Sequence, residues 1–151
     1  MEDSIKHAKP SRLTVYLVED SAILGKLLVS TLQSDLGAHV VGCSGDSTAA
    51  IAAVRELKPD VVIVDLVLHT GNGFEVLSAC REMDTAPARI VLSNHSTAAY
   101  REAARKLGVA DEHYFDKTTQ IGAMSALIRQ MVAAKLADAN FADAKRNLGD
   151  K

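Results

Sequence analysis

Four short runs of apolar residues each end in side chains that can do chemistry. LTVYLV (Leu13–Val18) leads into Glu19-Asp20, VVIV (Val61–Val64) into Asp65, Arg89–Leu92 into Ser93-Asn94, and His113–Asp116 into Lys117. Asp65 stands out most, a single carboxylate among the aliphatic residues of VVIVDLVL. A carboxylate in such surroundings is neutralised, paired or bound to metal. If the four ends meet, three carboxylates share one crevice with a lysine and a hydroxyl. Their mutual repulsion calls for a cation, and an all-oxygen set suits Mg²⁺ or Mn²⁺. The same set fits transfer of a phosphoryl group onto aspartate, with a carboxylate nucleophile, metal and lysine on the phosphoryl oxygens, and a hydroxyl donor beside them. Taken singly, each residue also has a plainer role. Asp20 fits a cap for a helix beginning at Ser21, Ser93 a turn hydroxyl, and Lys117 a solvated surface lysine.

Between the runs lie stretches of helical periodicity. Ser21–Leu36 carries Ile23, Leu24, Leu27, Leu28, Thr31 and Leu32 on one face, with Gly37 as its stop. His39–Cys43 reads as a second strand, and Asp46–Lys58 as a helix presenting Ala50, Ile51, Val54 and Leu57. Phe74–Met83, Thr97–Leu107 and Thr119–Leu136 read as further helices, the last with Ile121, Met124, Leu127, Ile128, Met131 and Val132. Val61–Val64 is continuously rather than alternately apolar, as in a parallel strand covered on both faces. A β-α pair repeated five times predicts an α/β fold, a parallel sheet with helices on both sides. In such sheets ligands bind beyond the carboxyl ends of the strands, where strand order reverses.

The chain has 151 residues, enough for one domain with its own core. A net charge of −2 gives no general electrostatic case for nucleic acid or an acidic membrane. MEDSIKHAKPSR lacks the apolar core of a secretory signal, and no apolar run approaches the roughly 20 residues that span a bilayer. Cys43 and Cys80 form no metal-ligand pattern and read as buried or half-buried thiols in a reducing cytoplasm.

YLVED, VVIVDLVL, GNGFEVL, IVLSN and LGVADEHYFDK, in that order and at strand ends, resemble the receiver domain of bacterial two-component response regulators. The resemblance runs from Leu13 to Leu136. It implies a doubly wound, flavodoxin-like (βα)5 fold of strand order 2-1-3-4-5. It also implies Asp65 as phosphoacceptor, Asp20 as direct Mg²⁺ ligand, Glu19 as an acidic neighbour acting through water, and Val67 as the donor of a metal-binding backbone carbonyl. Ser93 matches the switch hydroxyl, Lys117 the lysine that pairs with the acceptor and then the phosphate, and Tyr114 the aromatic switch residue. For Tyr114 an ordinary half-buried strand tyrosine is the competing reading. Val67 and His95 match positions that tune hydrolysis of the acyl phosphate. Val67 is expected to give an attacking water no polar help, and His95 to face solvent.

Three departures stand out. Thr118 replaces the usual proline after the lysine, so a cis peptide is not expected there. His69-Thr70-Gly71 lies where a proline is common. Asn94 follows the switch hydroxyl where alanine or glycine is frequent, and would narrow access to the phosphoryl group.

The expected organisation is a polar extension over 1–12, a receiver domain over 13–136 and a tail over 137–151. Too few residues follow Leu136 for a helix-turn-helix module, so a stand-alone cytoplasmic receiver is expected, signalling by protein contact rather than through DNA or a membrane. Its partners would be a sensor histidine kinase or histidine phosphotransfer protein, and a downstream target. In the tail, Leu136, Asn140, Phe141, Ala144 and Leu148 keep near-helical spacing and Gly149 suits a stop. The tail reads equally as a helix that meets a partner or second copy, giving a homodimer, and as a frayed terminus. Other readings carry less. A relay intermediate would use the same site. A haloacid-dehalogenase-like phosphohydrolase needs an aspartate where Val67 stands, and Gly71-Asn72-Gly73 lacks the P-loop pattern of a nucleotide binder.

Overall fold

The computed structural model describes residues 12–149. The polar extension expected over 1–12 lies outside the described residues except for Arg12, as do residues 150 and 151 of the tail. The elements are β1 (Thr14–Val18), α1 (Ala22–Ser30), β2 (His39–Ser44), α2 (Ser47–Leu57), β3 (Val61–Val64), α3 (Gly73–Arg81), β4 (Ala88–Ser93), α4 (Ala98–Lys106), β5 (Tyr114–Asp116) and α5 (Ile121–Gly149). The five strands form one parallel sheet in the order β2-β1-β3-β4-β5; the β-α alternation predicts the parallel sheet, and the receiver resemblance implies this order.

Helices α1 to α4 each start where a short polar side chain satisfies a free backbone N–H. Ser21 accepts from Leu24, Asp46 from Ala49 and Thr97 from Tyr100. Asn72 and Glu75 form a reciprocal capping box at α3. The helix at Ser21 is thus capped by Ser21 itself, and Asp20 is released from the capping role.

All four residues of β3 are buried, because both faces of the sheet are covered. Alternate residues divide between two cores. Val15, Leu17, Val61, Ile63, Ile90 and Leu92 pack under α1 and α5; Tyr16, Val18, Val62, Val64 and Val91 pack under α2, α3 and α4. Fully burying one such aliphatic side chain contributes about 1.5–3 kcal/mol, so this double cover fixes which way the strands face.

Several expectations are corrected. Ile23 and Leu27, assigned to the apolar face of α1, are 85% and 58% exposed. The Gly25-Leu28-Leu32-Leu36 line is buried, Leu24 and Val29 pack partly against the same core, and the last turn of the helix widens to π geometry over Thr31–Asp35. Leu57 is likewise exposed at the end of α2. Cys80 is buried, but Cys43 is exposed, because β2 is an edge strand with cover thinner than its neighbours'. His113 belongs to a 3₁₀ turn, Asp111–His113, and β5 begins at Tyr114. The last helix begins at Ile121 rather than Thr119 and runs through the tail to Gly149, so within the described residues the helical reading of the tail holds.

Candidate functional site

Strand register brings the polar ends together. Val18 of β1 lies opposite Val64 of β3, and the Asp65 N–H donates to the Val18 carbonyl at 2.9 Å. One residue beyond that pairing stand Glu19 on one strand and Asp65 on the other. Ser93 of β4 pairs with Asp116 of β5, and the Lys117 N–H donates to the Ser93 carbonyl at 3.0 Å. The site therefore sits beyond the carboxyl ends of β1, β3, β4 and β5, with β1 and β3 flanking the point where the chain reverses its direction across the sheet.

Glu19, Asp20 and Asp65 each present a carboxylate oxygen within 4.8 Å of the others. Lys117 Nζ lies 2.8 Å from Asp65 Oδ2 and 2.9 Å from Glu19 Oε1. Glu19 and Asp65 are both buried, at 5% and 7% exposure. Glu19 also accepts the Ser21 N–H at 3.0 Å, and Asp65 Oδ1 the Val67 N–H at 3.3 Å. Burial by itself would lower the Lys117 pKa, but hydrogen bonds and charge from Asp65 and Glu19 outweigh it and hold the lysine above its ordinary value. The Glu19 contact was not anticipated; the receiver resemblance implies a water-mediated metal contact for this carboxylate.

Three carboxylates less one ammonium leave a formal charge of −2 in the cluster. A hard divalent cation matches that residue of charge, and oxygen-only donors match Mg²⁺ or Mn²⁺.

The loop after Asp65 closes over the acidic pair. Asp20 Oδ2 accepts the His69 N–H at 2.6 Å and lies 3.0 Å from His69 Nδ1. His69 was noted only as a departure from a common proline. Its contact depends on the loop path, which residue types do not announce. The imidazole is itself largely exposed, so the backbone donor makes the more secure contact. The loop turns tightly into α3 at Gly73, where an added Cβ would stand 2.3 Å from the Asp65 carbonyl oxygen. Only glycine admits that approach of α3 to the acceptor strand.

Ser93 is fully buried, and its hydroxyl accepts the His95 N–H at 3.1 Å. His95 is exposed, as expected, with its ring 5.2 Å from that of Tyr100. Tyr114 is buried rather than half-buried; its hydroxyl donates to the His95 carbonyl, and the Arg101 guanidinium lies 4.5 Å above its ring. Burial raises the Tyr114 pKa, with Arg101 opposing. Tyr114 thus ties β5 to the loop that follows Ser93. The Val67 side chain is 42% exposed. Asn94 accepts from the Thr118 hydroxyl at 3.2 Å, linking the loops after β4 and β5, and no cis peptide occurs among the described residues.

Over 131 residues, 87% of this chain and 32% of the relative, the sequence is 30% identical to a protein-glutamate methylesterase/protein-glutamine glutaminase of Koribacter versatilis. A second such protein, from Syntrophomonas wolfei, is 32% identical over 66% of this chain and 29% of its own length. The chain spans about a third of the length of the curated relatives it matches. Among solved structures, the response regulator domain of Thermotoga maritima CheB is 30% identical with a TM-score of 0.61, covering 84% of this chain and 92% of that one. The receiver domain of the response regulator NarL from Mycobacterium tuberculosis has a TM-score of 0.72 at 20% identity, over 82% and 98% of the two chains, and shares the fold. The family described as the response regulator receiver domain matches residues 15–129, and this chain belongs to it.

Proposed function

We propose that Asp65 accepts a phosphoryl group from a phosphohistidine of a sensor histidine kinase or histidine phosphotransfer protein. The observation that carries this reading is the gathering of Glu19, Asp20 and Asp65 within 4.8 Å, with Lys117 bridging two of them. An Asp65 carboxylate oxygen attacks phosphorus, the P–N bond of the donor breaks, and the donor imidazole leaves with the bonding pair and takes a proton from solvent. Mg²⁺ or Mn²⁺ held by Glu19, Asp20, Asp65 and the Val67 carbonyl would neutralise charge on the phosphoryl oxygens. Lys117 leaves Asp65 for a phosphoryl oxygen. The Ser93 hydroxyl, which accepts the His95 N–H, turns its own proton toward another. His95 and Tyr114 share a hydrogen bond, so a shift at Ser93 reaches the surface of α4 and β5.

In this reading the domain, residues 13–136, is a cytoplasmic signalling switch rather than an enzyme with a turnover substrate. Its output is protein contact with a downstream target, and the helical tail adds a surface for self-association. Incubation with a ³²P-labelled histidine phosphotransfer domain tests the donor. Label moves to the wild type and not to Asp65→Asn; label on both, or on neither, contradicts the assignment.

A further inference from the structure

The part of α5 beyond the domain carries an apolar stripe of its own. Ala137, Phe141, Ala144 and Leu148 recur at alternating spacings of four and three, and all are exposed, Phe141 by 69% and Leu148 by 73%. Met124 and Ile128, with Met131 and Val132, pack against the sheet. At 3.6 residues per turn the stripe lies about 150° around the helix from that core-facing line. The domain that α5 belongs to therefore leaves the stripe uncovered.

We propose that a second copy of this chain covers it, with the two helices antiparallel. Two independent features choose this occupant and direction. The first is size. A parallel pair sets each residue against its own counterpart, stacking Phe141 on phenylalanine and leaving alanine against alanine at 137 and 144. An antiparallel pair sets Phe141 against the second copy's Ala144, and Leu148 against the second copy's Ala137, so every layer joins one large and one small side chain. The second feature is charge. Asp138 and Lys145 flank the same edge of the stripe. Antiparallel pairing brings Asp138 of each copy to Lys145 of the other, and places Asn140 beside Asn147 along the opposite edge. Parallel pairing makes no such ion pair. Within one chain Lys145 Nζ lies 5.9 Å above the Phe141 ring, already close to the seam.

Residues 137 to 148 span only about 16 Å of helix. Such a seam buries less than about 1,200 Å², so the dimer is weak and depends on concentration. This proposal deepens the self-association reading given above but is independent of phosphoryl transfer: Asp65→Asn is expected to dimerise like the wild type.

Sedimentation of the full chain from roughly 10 μM to 1 mM tests it. The wild type should shift from monomer to dimer, and Phe141→Glu, at an exposed position, should stay monomeric with an unchanged circular dichroism spectrum. Asp138→Lys and Lys145→Asp should each weaken association about fivefold, and the double exchange should restore it. A wild type monomeric throughout, or a Phe141→Glu variant that dimerises equally, overturns the interface. Single exchanges without effect, or a double exchange that does not restore association, overturn the antiparallel direction.

Discussion

Lys117 Nζ stands 2.8 Å from Asp65 Oδ2. The same ammonium reaches Glu19 at 2.9 Å, so one cation serves two buried carboxylates while Asp20 pairs instead with the His69 loop. Electrostatic neutrality is incomplete by about two charges.

Lys117→Met removes the internal cation and leaves Glu19 and Asp65 facing each other at low exposure. Breaking a buried pair by deleting one partner costs about 3–5 kcal/mol. The expected loss here is at the lower end, since Mg²⁺ substitutes for the lost charge. The variant should bind Mg²⁺ about tenfold more tightly by calorimetry while accepting phosphate much more slowly. Weaker Mg²⁺ binding would show that Lys117 holds the carboxylates in place rather than competing with the metal.

Mg²⁺ should raise the melting temperature of the wild type and leave Asp20→Ala nearly unaffected. A ligand that binds only the folded state stabilises it by about 2.7 kcal/mol at 100-fold excess over Kd. Thermal scans at increasing Mg²⁺ check this; an equal rise in both proteins would place the ion elsewhere.

Gly73→Ala tests the packing behind the acceptor. The new Cβ would meet the Asp65 carbonyl oxygen at 2.3 Å, so α3 or the end of β3 must move. A destabilisation of about 1–3 kcal/mol is expected, typical of overpacking, together with slowed phosphorylation. Unchanged stability would mean the loop gives way at no cost.

These predictions show how unevenly the sequence discloses the site. The gathering of Glu19, Asp20, Asp65 and Lys117 was legible because strand ends in a parallel sheet must converge, and a lone carboxylate after VVIV has no local partner. The order of elements followed from the alternation of apolar runs and helical periods. His69 was not legible as a partner of Asp20, because a backbone N–H carries no residue-type signal. The exposure of Ile23 and Leu27 was hidden because periodicity marks an apolar stripe without saying how much of its width is covered. The depth of Tyr114 depended on Arg101 and the loop after Ser93, both distant in sequence.

Alkaline stability should respond to Cys80. Burial raises this thiol from 9.0 to about 11, with Arg89 opposing. The folded thiol keeps its proton over an interval in which the unfolded thiol has lost it. Stability is thus unaffected below pH 9 and falls as pH rises from 9 to 11, by on the order of 2 kcal/mol. Tyr16 and Tyr114, both raised by burial, add a fall of the same sign at higher pH. Urea unfolding from pH 8 to 11 checks this: Cys80→Ala should lose the slope between pH 9 and 10, and an identical slope would remove Cys80 as its source.

His95 separates loop geometry from hydrolysis. Its backbone serves Ser93 and Tyr114, whereas its side chain is exposed. His95→Ala should therefore leave the lifetime of the phosphorylated form unchanged; a lifetime altered several-fold would give the imidazole a part in orienting water.

The central claim is that Asp65 is modified in a metal-dependent way. Incubation with acetyl phosphate, with and without Mg²⁺, followed by intact mass measurement tests it most directly. One added phosphate is expected only with Mg²⁺, and none in Asp65→Asn. An unlabelled wild type in the presence of Mg²⁺, or a phosphate retained in Asp65→Asn, would contradict the account.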